Sequence, residues 1–149
     1  MLTELLIGGG ILAICLVIHI TGMVVLGDQL VRRRQLIARR ESNWHTAWLL
    51  MVIFAILILL HISESFIWAA FYVWYDLFQD HETALYFSLA SYSTIGYGDV
   101  LLPHDWRLLG TIEGVSGVLL CGLSSAFLFT ILNALFRFRV QRIRRQKLL

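Results

Sequence analysis

Three apolar runs dominate the chain, at residues 5–26, 48–75 and 108–136, and each is long enough to cross a bilayer. At 1.5 Å rise per residue, about 20 helical residues traverse a hydrocarbon core of roughly 30 Å. The second and third runs exceed that length, so tilt or projection beyond the membrane is expected. Hydrophobic residues make up 58% of the 149, more than the roughly half found in soluble domains. That balance leaves room for one compact all-α membrane domain and no separate soluble module. A fourth apolar run, residues 84–93, is too short to span and passes at once into a glycine-rich stretch. This is the profile of a re-entrant segment, a short helix that enters the membrane and returns as a loop.

Basic residues set the expected orientation. Arg32, Arg33, Arg34, Arg39 and Arg40 follow the first run, while Arg137, Arg139, Arg142, Arg144, Arg145 and Lys147 follow the third. Arg107 is the one basic residue elsewhere. Cytoplasmic loops are enriched in Lys and Arg, so the linker and the C-terminus are expected inside and the N-terminus outside. An even number of crossings between two cytoplasmic flanks again makes the middle segment re-entrant. Its flanking loops carry Asp76, Asp80, Glu82, Asp99 and Asp105, an acidic outer vestibule. The stretch 1–26 holds no Lys or Arg and is read as a retained span of a multi-pass cell-membrane protein rather than a secretory leader. Trp44, Trp48, Trp74 and Trp106 mark span ends, where an aromatic belt is expected. Cys15 and Cys121 fall inside apolar runs and read as small hydrophobes. The basic stretch VRRRQLIARR, residues 31–40, suits a short interfacial helix on anionic lipid, and equally a solvated connector; the basic tail has the same two readings.

The glycine-rich stretch SYSTIGYGDV, residues 91–100, is the most specific part of the sequence. Backbone at membrane depth must meet its own hydrogen bonds unless protein buries it or it lines a polar cavity. Gly96 and Gly98 permit backbone angles closed to other residues, which lets successive carbonyls turn towards one axis. A ladder of carbonyls is a set of hard oxygen ligands for a cation.

The segment TIGYGD resembles the T-V-G-Y-G-D selectivity filter of potassium channels. Five matching positions arise by chance about once in 10⁴ to 10⁵ chains of this size. The resemblance extends over residues 48–135: ALYFSLASYST is similar to the family's pore helix and RLLGTIEGVSGVLLCGL to its inner helix. It implies a homotetramer in the lipid bilayer, since one loop cannot surround an ion, with K⁺ as the transported ion, no further cofactor and no nucleic-acid partner. Backbone oxygens of Thr94, Ile95, Gly96 and Tyr97 would hold K⁺, with the Thr94 hydroxyl at the inner end, Gly98 at the exit and Asp99 at the outer mouth. Tyr86 and Phe87 take the aromatic positions that support the filter tyrosine, and Gly117 the usual gating hinge, with Gly122 further along. The implied division is an additional helix at 1–27, a basic linker at 28–47, a pore domain at 48–136 and a basic tail at 137–149. Within the pore domain lie an outer helix at 48–75, a pore helix at 83–93, the filter at 94–99 and an inner helix at 107–136.

Besides Ile95 in place of the filter valine, the chain departs from the family pattern in two places. Ala90 stands where some relatives carry a glutamate that pairs with the aspartate after the filter. The first span has no counterpart in the two-span pore and lacks the regular arginines of a voltage sensor; its polar interruptions are His19 and Thr21.

His61 and Glu64 lie one turn apart inside the second span, and Glu113 lies inside the third. A His-x-x-Glu pair can begin a metal site, but no third ligand stands at suitable spacing along the chain. An interhelical polar contact, from the outer helix to the first span or to Glu113, is the favoured reading, and a regulatory proton site the other. Gly110 and Gly114, at small-x-x-x-small spacing, mark close helix packing. No catalytic constellation competes with ion conduction. The alternatives to a potassium-selective channel are a weakly selective cation channel, a non-conducting regulatory subunit, and a membrane enzyme using His61, Glu64 and Glu113.

Overall fold

The structure is a computed structural model that describes residues 2–32 and 43–146. It is all-helical, with α1 (Leu2–Arg32), α2 (Asn43–Trp74), α3 (His81–Tyr92) and α4 (Arg107–Gln146). A single 3₁₀ turn, His104–Trp106, leads into α4. Three of the helices are long and apolar enough to cross a membrane, and the 12-residue α3 is not among them. The chain is thus a multi-pass membrane protein with one short helix and an irregular loop between its second and third long helices.

Helix ends follow local chemistry. Helix α2 closes with a Schellman motif: Leu77 N–H donates to Tyr72 O at 2.9 Å and Asp76 N–H to Val73 O at 3.1 Å. Asp76 takes the left-handed position at φ 57°, a place more often filled by glycine. Helix α3 starts at Asp80, whose carboxylate accepts from Thr83 N–H at 2.7 Å. That bond holds the exposed Asp80 carboxyl below the ordinary carboxylate range, and the capped helix begins two residues before the expected position 83. Helix α4 is 40 residues long, on the order of 60 Å, and continues to Gln146 through most of the segment read from sequence as a tail. Helix α1 likewise runs on to Arg32, where an Arg32–Asp28 pair at 2.7 Å closes its last turn. Of the basic stretch 31–40, read as either an interfacial helix or a connector, Val31 and Arg32 belong to α1 and residues 33–40 lie outside the described residues.

One stripe of α1 is buried, formed by Glu4, Gly8, Ile11, Cys15 and His19. This three-to-four residue spacing puts them on a single face. A Cβ at Gly8 would come within 2.8 Å of Ile112 on α4, and one at Gly22 within 2.9 Å of Leu60 on α2. The extra helix therefore sits in a groove between the two long helices of the loop-bearing unit. Trp44, Trp48 and Trp74 are exposed near the ends of α2, whereas Trp68 is wholly buried.

Helix α3 is held from both sides. Towards α2 lies an aromatic layer in which Phe87 meets Tyr72 at 5.4 Å and Phe78 at 5.2 Å between ring centroids. Towards α4 lies a glycine face. A Cβ at Gly110 would stand 3.0 Å from the Phe87 ring and one at Gly114 3.2 Å from Ser91 O, while one at Gly117 would overlap the carbonyl oxygen of Tyr92. Gly110 and Gly114 thus mark close packing, as their spacing predicts, and Gly117 extends the same face. Gly122, one further turn along, has nothing within 4 Å of such a Cβ.

This contrast is testable. Gly117→Ala should lower thermal stability by about 1–3 kcal/mol, the cost of overpacking a tight contact. Gly122→Ala should change it by less than about 0.5 kcal/mol, both measured by thermal unfolding in the same detergent.

Candidate ion-conduction site

The loop after α3 has a backbone unlike the rest of the chain. Its entry is tied down by Ser93 N–H to Leu89 O at 3.1 Å, Thr94 N–H to Ser91 O at 2.9 Å and Gly96 N–H to Ala90 O at 3.0 Å. Three alternate residues then have positive φ, Thr94 at 60°, Gly96 at 54° and Gly98 at 78°, while Ile95 and Tyr97 between them do not. Two of the three are glycines, for which this region carries no Cβ penalty. Thr94 bears that cost directly above the Ser93 cap of α3. From Ser93 to Asp99 every residue is exposed on the single chain, including Ile95 at 58% and Tyr97 at 70%.

The side chain of Tyr86 braces this loop at two of its residues. The Tyr86 ring lies nearly parallel to the Tyr97 ring, 8° apart in plane with centroids 6.5 Å apart. Its hydroxyl donates to the Asp99 carboxylate at 2.8 Å. Asp99 also accepts from Val100 N–H at 3.1 Å. Phe87 does not join them, because consecutive helical residues project about 100° apart. Tyr86 faces the loop and Phe87 faces the core. The Tyr86–Asp99 pair was not read from the sequence, although the absence of a glutamate at Ala90 raises the question of what holds Asp99.

Two buried polar clusters lie behind the same helix. In the first, Glu113 of α4 accepts from the hydroxyl of Tyr72 of α2 at 2.7 Å and from the hydroxyl of Ser88 of α3. The Ser88 hydroxyl also stands 2.7 Å from the carbonyl of Ser65. Glu113 is wholly buried and joins the inner, outer and short helices through side chains alone.

The second cluster contains Glu64, His61, His19, Tyr92 and Ser124. His19 Nδ1 lies 2.8 Å from Glu64 Oε1, and the Tyr92 hydroxyl donates to Glu64 Oε2. His61 Nδ1 lies 2.9 Å from the Tyr92 hydroxyl. Both imidazoles place Nε2 against the Ser124 hydroxyl, at 2.9 Å from His19 and 3.1 Å from His61. Glu64 is therefore bonded to the first span, in keeping with the expected interhelical contact, and not to Glu113. The expectation that a third ligating residue is missing beside His61 and Glu64 is corrected by the structure. His19 supplies it from the first span, 45 positions from Glu64 in sequence, a distance at which spacing along the chain carries no signal.

A family model described as an ion channel matches residues 47–134, which takes in nearly all of α2, α3, the glycine loop and most of α4. No curated protein and no solved structure matches the chain. Helix α1 lies outside the matched region. On a match covering more than half of its length, joined to three membrane-length helices, the chain belongs to the ion channel family.

Proposed function

We propose that the protein is a potassium-selective channel in which four identical chains surround one pore. The observation that carries this reading is the segment TIGYGD, with its alternation of positive and negative φ at residues 94–98. Alternating hand is the backbone pattern that lets successive carbonyls face one side instead of opposite sides. Carbonyls of Thr94, Ile95, Gly96 and Tyr97, supplied four times over, then replace the hydration shell of K⁺, with Gly98 as the exit. Exposure of Ile95 and Tyr97 on the single chain supports assembly, because bulky side chains around an ion path need protein behind them. A groove of about 570 Å³ beside Thr94, Gly96, Gly114 and Val118 opens on the same face.

Each bracing residue has a part in this mechanism. Tyr86 holds Tyr97 by its ring and Asp99 by its hydroxyl, fixing the outer end of the filter. Phe87 fixes the pore helix from behind, and Glu113 ties that helix to both flanking spans. Four pore-helix C-termini, each carrying about half a negative charge, favour a cation beneath the filter. The outer carboxylates gather cations at the mouth, an effect that salt weakens. Gly117 lies against the Tyr92 carbonyl, so bending of the inner helix at this position also loosens the seat of the filter. The arginine-rich flanks of α1 and α4 support a cytoplasmic linker and C-terminus, an outer N-terminus and contact with anionic lipid.

In a planar bilayer under opposed K⁺ and Na⁺ gradients, the purified protein should reverse near the K⁺ equilibrium potential. A reversal midway between the two potentials identifies a weakly selective cation channel, and no current identifies a non-conducting subunit. Tyr86→Phe removes one hydrogen bond to a carboxylate, worth about 1.5–3 kcal/mol when shielded and less at an exposed site. It should lower the K⁺ over Na⁺ permeability ratio severalfold without abolishing assembly, read from the shift in reversal potential. Glu113→Leu leaves the buried Tyr72 hydroxyl without its acceptor and the Ser88 hydroxyl with the Ser65 carbonyl alone, and should reduce the yield of assembled channel on size-exclusion chromatography. Glu113→Gln, which keeps shape and an acceptor, should retain most of that yield.

A further inference from the structure

We propose that His19, His61 and Glu64 form a binding site for a transition-metal dication of the Zn²⁺ class, joining the first span to the pore unit. One ligating atom from each lies within 4.8 Å of the others, and the closest pair, His19 Nδ1 and Glu64 Oε1, is 2.8 Å apart. Metal–ligand bonds of about 2.1 Å place tetrahedral ligands ~3.4 Å apart. The observed separations bracket that value, so rotation of side chains suffices to close the site. Two imidazoles and one carboxylate with a fourth position open is a donor set suited to Zn²⁺ and its neighbours, and unsuited to Mg²⁺ or Ca²⁺.

The surroundings match what such ligands require. Both imidazoles present Nδ1 towards Glu64, at 2.8 Å for His19 and 3.5 Å for His61, and both present Nε2 to Ser124. Without a metal, the 2.8 Å contact of His19 Nδ1 with Glu64 Oε1 is a hydrogen bond with the proton on Nδ1; a dication displaces that proton and takes both Nδ1 lone pairs beside the carboxylate. With a metal on both Nδ1 atoms, the Ser124 oxygen, which has two lone pairs, accepts the two Nε2–H groups at once. A histidine ligand ordinarily has its second nitrogen held in this way. The Tyr92 hydroxyl donates to Glu64 Oε2 and orients the carboxylate so that Oε1 is left for the metal. His19 and Glu64 are wholly buried, and the 21% exposure of the His61 side chain gives an entrance. Because Ser124 belongs to α4 and Tyr92 to the end of α3, an ion here clamps α1 to α2 immediately behind the start of the glycine loop. The site does not depend on which ion the pore selects, and its test uses no current.

Full-length protein purified without a histidine tag should bind one Co²⁺ per chain with the intense visible absorption of a tetrahedral ion, and Zn²⁺ should displace it. His19→Asn keeps an N–H directed at Glu64 yet is a poor metal ligand, and should weaken binding more than about 100-fold. Ser124→Ala, which removes only the shared acceptor, should weaken it about 10–100-fold. His45→Ala with His104→Ala, both exposed positions, should leave binding unchanged. The proposal is overturned if wild-type protein gives no tetrahedral spectrum, if His19→Asn binds as the wild type does, or if the exposed-histidine variant loses the signal. Should His19→Asn fail to fold, X-ray absorption of Zn²⁺ on the wild type decides. Two imidazoles with oxygen ligation support the site, and sulfur or all-oxygen ligation overturns it.

Discussion

The contact between Gly117 and the carbonyl of Tyr92 is the constraint on which the rest of the pore unit depends. An irregular loop has few hydrogen bonds of its own to hold it, so the segment carrying it must be seated against protein. Here the seat is the C-terminal end of α3, pressed against a face of α4 from which side chains are absent. Any Cβ at position 117 would occupy the space of the Tyr92 oxygen. The approach sets the depth at which the loop leaves α3, and the three hydrogen bonds at Ser93, Thr94 and Gly96 set its direction.

Around that seat the protein uses polar side chains as well as grease. In a bilayer, apolar packing alone discriminates poorly between helix neighbours, because lipid tails are as apolar as leucine. Interhelical hydrogen bonds contribute only about 0.6 kcal/mol each, but they are directional and so select one arrangement. The Glu113 cluster ties α2, α3 and α4 together, and the Glu64 cluster adds α1. Both converge on α3, at Ser88 and Tyr92. The short helix that carries the candidate filter is thus bonded through side chains to both long helices beside it.

Helix α1 gains a physical role from this arrangement. Nothing in a two-span pore requires it, and the family match does not include it. It nevertheless buries a continuous stripe ending in His19 and reaches the same cluster as Tyr92. A perturbation of the first span, whether by lipid, by a metal ion or by a partner, therefore has a short bonded path to the base of the glycine loop through Glu64.

The long helices, the short one between the second and third of them and the glycine loop were legible in the sequence, because bilayer thickness imposes a length and glycine imposes a backbone. The glycines at 110 and 114 announced close packing by their spacing alone, and the Asp80 cap, though missed, carries a recognisable local signal. What no linear pattern contained was the meeting of residues on different helices. His19 with His61 and Glu64, Tyr86 with Asp99, and Gly117 with the Tyr92 carbonyl are all set by how helices are rotated against one another. The sequence by itself determined which segments enter the membrane and which stretch cannot be regular helix, since those follow from local composition. Only the tertiary structure decided which buried polar groups are partners, because a helix buries a face whose neighbours are chosen by packing and not by position along the chain.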